Sequence, residues 1–172
     1  MTVVGDFAQA GPVSTVGGWA DALGARITVH TLTVNYRTTA EILDASRDLL
    51  AEIAPEQSPS RSLRHGEPPC TLTRAAVAAQ LRPGELTAVI CADEDAARLA
   101  EEVGDRAQVV PVSQVRGLEF DAVVVVDPGR IEAARPSGKR DLYVALTRAT
   151  QRLTIMGSPA QAPPGPEFAR PL

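Results

Sequence analysis

The chain has 172 residues, 44% of them hydrophobic and 22% charged, with a net charge of −4. That is enough to bury one core, and it excludes both a disordered chain and a protein with a global basic field for nucleic acid. The two cysteines, Cys70 and Cys91, and the two histidines, His30 and His65, show no metal-ligand spacing and no framework of pairs, so no metal site is expected.

The chain opens on "TVVG", which reads as a strand ending at Val4, followed by a turn at Gly5 and Asp6 that leads to Gln9. Ala25 to Thr33 reads as the next strand. From Thr38 to Ile53 apolar residues return at helical spacing, and Thr38 with Glu41 has the spacing of a capping box. Residues 54–69 shift to Pro, Ser, Arg and Gly, which marks a surface excursion. Thr87 to Ala92 is a strand, and Asp95 to Val103 a helix that stops at Gly104. "AQVVPV" and "DAVVVVD" are further strands, the second apolar on both faces as a central parallel strand must be. Asp141 to Ala149 is an amphipathic helix, and Arg152 to Met156 the closing strand. From Gly157 the chain carries too little apolar content to fold and reads as a disordered tail. No apolar run approaches the ~20 residues of a membrane-spanning helix, and the start lacks a signal-peptide pattern, so a cytoplasmic protein with no membrane partner is expected.

Alternating strands and helices predict an α/β sandwich around a mostly parallel sheet, with ligands collecting beyond the carboxyl ends of the strands. Polar residues stand out in four connections. Gln9 follows the first strand. Asn35, Tyr36 and Arg37 precede a helix N-terminus, where an arginine is repelled unless an anion shares the site; an arginine that simply reaches solvent is the other reading. Gly117 permits a tight backbone approach, and Glu119 guards the entrance to the apolar strand as a ligand for hydroxyl groups, or as a structural partner of Arg116. Arg148 lies beside the apolar stripe of its helix, where a guanidinium fork is expected to meet a carboxylate or a phosphate. Arg152 reads as an exposed support.

Taken in order, "VVGDFAQ", "LTVNYRTT", "RGLEFDAVVVVD" and "LYVALTRATQRL" resemble motifs III, IV, V and VI of UvrD/Rep-type superfamily 1 helicases. With the Trp19 segment and "EIAPEQSPSRSLRHGEPP", the pattern most resembles the HelD branch, helicase-like ATPases associated with bacterial RNA polymerase. The resemblance implies a RecA-like, P-loop-type three-layer sandwich equivalent to helicase domain 2A over residues 25–157, a remnant of the first motor domain over 1–24, and the tail over 158–172. It implies ATP and Mg²⁺ as cofactors. Gln9 would sense the γ-phosphate and its attacking water, Tyr36 would stack on adenine, and Arg37 and Arg148 would reach the γ-phosphate. Glu119 would bind the ribose hydroxyls, with Gly117 and Arg116 in the same nucleotide-binding loop.

The chain holds neither a G-x-x-x-x-G-K-[ST] loop nor an acidic Walker B strand. It is therefore expected to need an N-terminal RecA-like domain of the same protein, which would also carry the Mg²⁺ ligands, and to be inactive alone. Two departures bear on partners: Arg116 stands where the helicase pattern has lysine, and Pro111 and Ser113 stand where it has Thr-x-His on the nucleic acid. Pro111 offers no donor and Ser113 is a poorer phosphate partner than histidine, which with the acidic balance and few aromatics argues against DNA unwinding; the HelD resemblance implies RNA polymerase as the first partner and DNA as the second. An authentic DNA helicase domain and a non-catalytic docking module remain the alternatives.

Overall fold

A computed structural model describes residues 2–6, 8, 9, 21–24, 28, 30–72 and 81–157. Trp19 and the expected tail over 158–172 lie outside these residues, as does part of the strand expected over 25–33. The elements are β1 (Val34–Asn35), α1 (Ala40–Ala45), α2 (Arg47–Ile53), β2 (Arg61–Ser62), β3 (Cys70–Leu72), β4 (Thr87–Cys91), α3 (Ala96–Val103), β5 (Gln108–Pro111), β6 (Phe120–Val126), α4 (Pro128–Ala133), α5 (Gly138–Leu146) and β7 (Ala149–Met156).

Five strands form one parallel sheet in the order β3-β7-β6-β4-β5, and β1 pairs with β2 in a separate parallel sheet. Strand β6 is central because its sequence satisfies two faces at once. Val123 and Val125 point into a core shared with Ile42, Ile131, Leu142 and Val144, while Val124 and Val126 join Val89, Cys91, Leu99 and Val103 on the other side. Alternation along a pleated strand does this automatically, and each buried valine contributes roughly 1.5–3 kcal/mol. Helices α1, α4 and α5 thus cover one face and α3 the other, giving the expected three-layer sandwich. Among the described residues no helix is long and apolar enough to cross a membrane.

Local chemistry explains the boundaries. Helix α3 buries Leu99 and Val103, four apart, and ends at Gly104, whose φ of +58° suits glycine. The helix expected from Thr38 to Ile53 is instead two, because the buried Ser46 turns its hydroxyl back to the Leu43 carbonyl at 3.0 Å and bends the chain. The capping box is also absent. Asn35 Oδ1 accepts the Arg37 and Thr38 amides at 2.8 and 2.9 Å, while Glu41 receives the Gly66 amide at 2.9 Å.

The opening "TVV" is not a strand: Val3 and Val4 are exposed, and no described strand lies beside them to form a ladder. Nor do residues 28 and 30–33 belong to a strand, which begins at Val34. Three elements had no sequence signal, the first being β2, which falls in the stretch 54–69 read as a surface excursion. Strand β3 follows Pro68 and Pro69, which read as loop, and α4 starts on Pro128 at its first turn, where a missing amide costs nothing. Helices α4 and α5 meet closely at Gly138, where a Cβ would sit 2.1 Å from the Glu132 carbonyl oxygen.

Candidate functional site

Helix α5 ends at Leu146, and Thr147 closes it by donating its hydroxyl to the Tyr143 and Val144 carbonyls at 2.9 and 3.1 Å. Arg148 therefore stands just past the helix rather than on it, and Ala149 and Thr150 open β7 rather than continuing the helix. This junction aims the Arg148 side chain into the fold, where the residue is 3% exposed. Its Nε–H donates to the Val144 carbonyl at 3.1 Å, Nη1–H to the Leu118 carbonyl at 3.2 Å, and Nη2–H to Gln9 Oε1 at 2.9 Å. All three acceptors are neutral, and among the described residues no carboxylate lies within ion-pair distance of this guanidinium. Burial, reinforced by the nearby Arg37 charge, lowers the Arg148 pKa; Glu119, Asp6 and Tyr143 oppose the shift. An arginine held this way remains charged and is short of an anion.

Gln9 is placed by its own neighbours. Its Nε2–H donates to Asp6 Oδ2 at 2.7 Å, Asp6 Oδ1 accepts the Ala8 amide at 3.0 Å, and Ala8 is buried against Leu50 and Tyr143. Arg37 pairs with Glu119, and its carbonyl accepts Arg64 Nη1–H at 2.7 Å. With 42% and 46% of these two side chains exposed, the pair is screened and easily exchanged. Arg116 does not pair with Glu119. It donates to the Gln9 carbonyl and to Asp141, 2.9 Å away. Gly117 has a φ of +79° with open space where a Cβ would be, so glycine is needed there for backbone conformation and not for close approach. Tyr36, beside Arg37, is 71% exposed and offers a bare ring face.

The structure thus gathers Gln9, Arg37, Arg116, Gly117, Glu119 and Arg148 at one rim, but not at the carboxyl edge that the strand pattern suggested. Glu119 precedes β6 and Arg148 precedes β7, whose first residues, Phe120 and Ala149, are partners in register. The rim is the amino edge of these strands. The reason is that Glu119 and Arg148 lie on the connections that enter β6 and β7, and the loop after β1, which pairs with β2 outside the large sheet, reaches across to Glu119. Ser113 is elsewhere, on the turn beyond the carboxyl end of β5, with its amide donating to Asp93 Oδ1 at 3.0 Å. Arg152 is 6% exposed and paired with Glu85, so the reading of an exposed support is overturned; β7 is covered on both faces, and the side chain needs a buried carboxylate.

Two functional neighbours carried no clear sequence signal. Asp141 looked like an ordinary first-turn acidic residue, and Tyr143 like part of the apolar stripe. Burial first, and the Asp6 charge second, push the Tyr143 phenol up to about 12. Asp6, Gln9, Asn35, Arg37, Thr38 and Tyr143 line a polar cavity of about 140 Å³. Ligand pockets that enclose a drug-sized molecule run to roughly 300–1,000 Å³, so this cavity alone is too small to enclose a nucleotide. Among the described residues no group of three or more His, Cys, Asp and Glu is placed to hold a metal ion.

A family model described as the viral superfamily 1 RNA helicase core domain matches residues 2–157. Among solved structures, the chain is similar to the C-terminal domain of a possible DNA helicase from Lactobacillus plantarum WCFS1. Identity is 23% and the TM-score 0.56, over 72% of this chain and 87% of that one. It also matches the Arterivirus nonstructural protein 10 helicase, solved with DNA, at 20% identity and a TM-score of 0.41, over 75% of this chain and 26% of that one. No curated protein matches the chain. The parallel five-stranded sheet with helices on both faces is a RecA-like α/β fold.

Proposed function

This chain belongs to the viral superfamily 1 RNA helicase core domain family, and on that premise we propose that it supplies the second RecA-like lobe of an ATP-driven motor. One observation carries the reading: Arg148 is buried at the rim, bonded only to neutral acceptors, with Arg37 near enough to lower its pKa. Arg148 has no anion of its own and Arg37 holds Glu119 only through an exposed pair, so a polyanion between them would serve both cations. A guanidinium has five N–H donors and Arg148 uses three, so two remain for phosphate oxygens.

In this reading ATP lies between the rim and an N-terminal RecA-like domain, which would also supply any Mg²⁺ ligands. Arg148 and Arg37 compensate charge on the γ-phosphoryl oxygens as the bond to the leaving diphosphate breaks. Gln9, whose carboxamide touches Arg148, is placed to orient the attacking water. Tyr36 offers its exposed ring to adenine, and Glu119 turns from Arg37 to the ribose hydroxyls, an exchange made cheap by the exposure of that ion pair. Hydrolysis would open and close the cleft, and this lobe alone would be inactive.

We place RNA polymerase, as in the HelD branch, ahead of DNA as the target that the motor remodels. Support comes from the edge where nucleic acid would run: Pro111 has no amide to donate, and the Ser113 amide is already taken by the Asp93 carboxylate, which repels phosphate. The test is ATP turnover by the protein carrying its N-terminal domain, with retention on core RNA polymerase and on single-stranded DNA measured across a salt series. No turnover refutes the motor. Steeply salt-dependent DNA binding without polymerase retention refutes the partner.

A further inference from the structure

Behind the rim lies a set of charges that the motor reading leaves unexplained. Asp141, on the first turn of α5, is 4% exposed, and yet it faces two arginines. Its Oδ1 accepts Arg116 Nη2–H at 2.9 Å; its Oδ2 lies 3.1 Å from Arg135 Nε and accepts the Ser137 hydroxyl at 2.9 Å. A single buried carboxylate shared by two guanidinium groups and a hydroxyl has every oxygen committed, so its position is over-determined. Arg116 then spends its other terminal nitrogen on the main-chain carbonyl of Gln9, more than a hundred residues away in sequence. On its far side Arg135 reaches Asp93 at 3.3 Å, and Asp93 holds the Ser113 amide. The contacts form one unbroken ladder from the loop after β5 to the residue that touches Arg148.

From these contacts we infer that Asp141 is a positioning residue: through Arg116 it fixes the main chain at Gln9 and so aims the Gln9 carboxamide at Arg148, with Arg135 bracing it from behind. The physical reason is that residues 2–6 and 8–9 have no ladder partner among the described residues, so the Gln9 side-chain bonds to Asp6 and Arg148 have little main-chain support beneath them. Ala8 packs on Leu50 and Tyr143, and the Arg116 fork adds a charged bond at the next residue. The consequence for catalysis rests on the motor reading above; the consequence for Gln9 does not.

Two measurements separate them. The first is amide hydrogen exchange on this chain, read at Ala8, whose amide donates to Asp6. Asp141→Asn and Arg116→Gln are each expected to speed exchange about tenfold, through weakening or loss of the Arg116 bond to the Gln9 carbonyl, and the double variant no further, since both act through that bond. Arg135→Gln, at a half-buried residue without a partner in the rim, is expected to give a smaller rise of about threefold and covers the case in which Asp141→Asn fails to fold. Unchanged exchange at Ala8 in Arg116→Gln and Arg135→Gln overturns the inference, as does an additive double variant. The second is ATP turnover with the N-terminal domain present. Asp141→Asn should lower kcat with KM for ATP unchanged, because the substrate contacts themselves survive. A raised KM at constant kcat would overturn the positioning role. Absence of turnover in the wild-type protein would instead strike the motor reading and leave the exchange result standing.

Discussion

Replacing Arg148 with Ala or Lys tests the motor most directly. The alanine variant removes three hydrogen bonds to Val144, Leu118 and Gln9 together with the only buried charge at the rim that no described carboxylate neutralises. Two effects oppose each other in stability. Each bond from a charged donor is worth about 1.5–3 kcal/mol, whereas keeping an unpaired guanidinium out of water costs several kcal/mol. The net change is expected to stay within about 2 kcal/mol, a shift in Tm below about 8 °C for a domain of this size. Catalysis has no such offset, because the charge matters most when the phosphoryl group is in transit. An arginine of this kind is worth about 10³-fold or more in kcat, or about 4 kcal/mol of barrier at 1.36 kcal/mol per decade. Lysine keeps the charge but loses the planar fork that spans two carbonyls and a carboxamide, so Arg148→Lys should fall within about tenfold of Arg148→Ala. The assay is phosphate release by the protein with its N-terminal domain, alongside a thermal melt. A kcat within tenfold of wild type in both variants, with the fold intact, would refute the assignment of Arg148.

Three further outcomes follow from the packing. The Tyr143 phenol, pushed up to about 12 by burial, should stabilise the fold by about 2–3 kcal/mol below pH 10, a contribution lost as pH rises from 10 through 12. Urea unfolding across that range should show the loss, and Tyr143→Phe should flatten it; an identical alkaline decline in both proteins would assign it elsewhere. Cys91, fully buried and with its thiol raised to about 11 chiefly by burial, should resist a thiol reagent at pH 8 until the chain unfolds, while the half-buried Cys70 reacts first. Mass-spectrometric mapping of the modified residue decides this, and early labelling of Cys91 would contradict the burial. Gly138→Ala would press a Cβ to 2.1 Å from the Glu132 carbonyl oxygen and 2.6 Å from that of Ile131, forcing α4 and α5 apart. A cost of about 1–3 kcal/mol is expected in chemical denaturation, and a neutral result would mean the helices can part freely.

The sequence by itself determined the layers. An apolar run such as Val123 to Val126 must be buried on both faces, and a helix with Leu99 and Val103 four apart must cover a sheet, because alternation and helical periodicity are local properties. It also determined which polar residues were conspicuous, since Gln9, Arg37, Glu119 and Arg148 all interrupt or flank apolar stretches. What it did not contain was the choice of partner. Arg116 could have met Glu119, three residues on, but meets Asp141; Glu119 meets Arg37 from the loop after β1, outside the main sheet; and Arg152 is buried on Glu85 rather than exposed. Each of these pairings spans a long stretch of chain, and a charge satisfies itself with whatever the packing brings within about 3 Å. The meeting of Arg37 with Glu119 was decided in the same way, by β1 joining β2 rather than the five-stranded sheet, because strand pairing is a competition among distant segments that no single segment's pattern resolves.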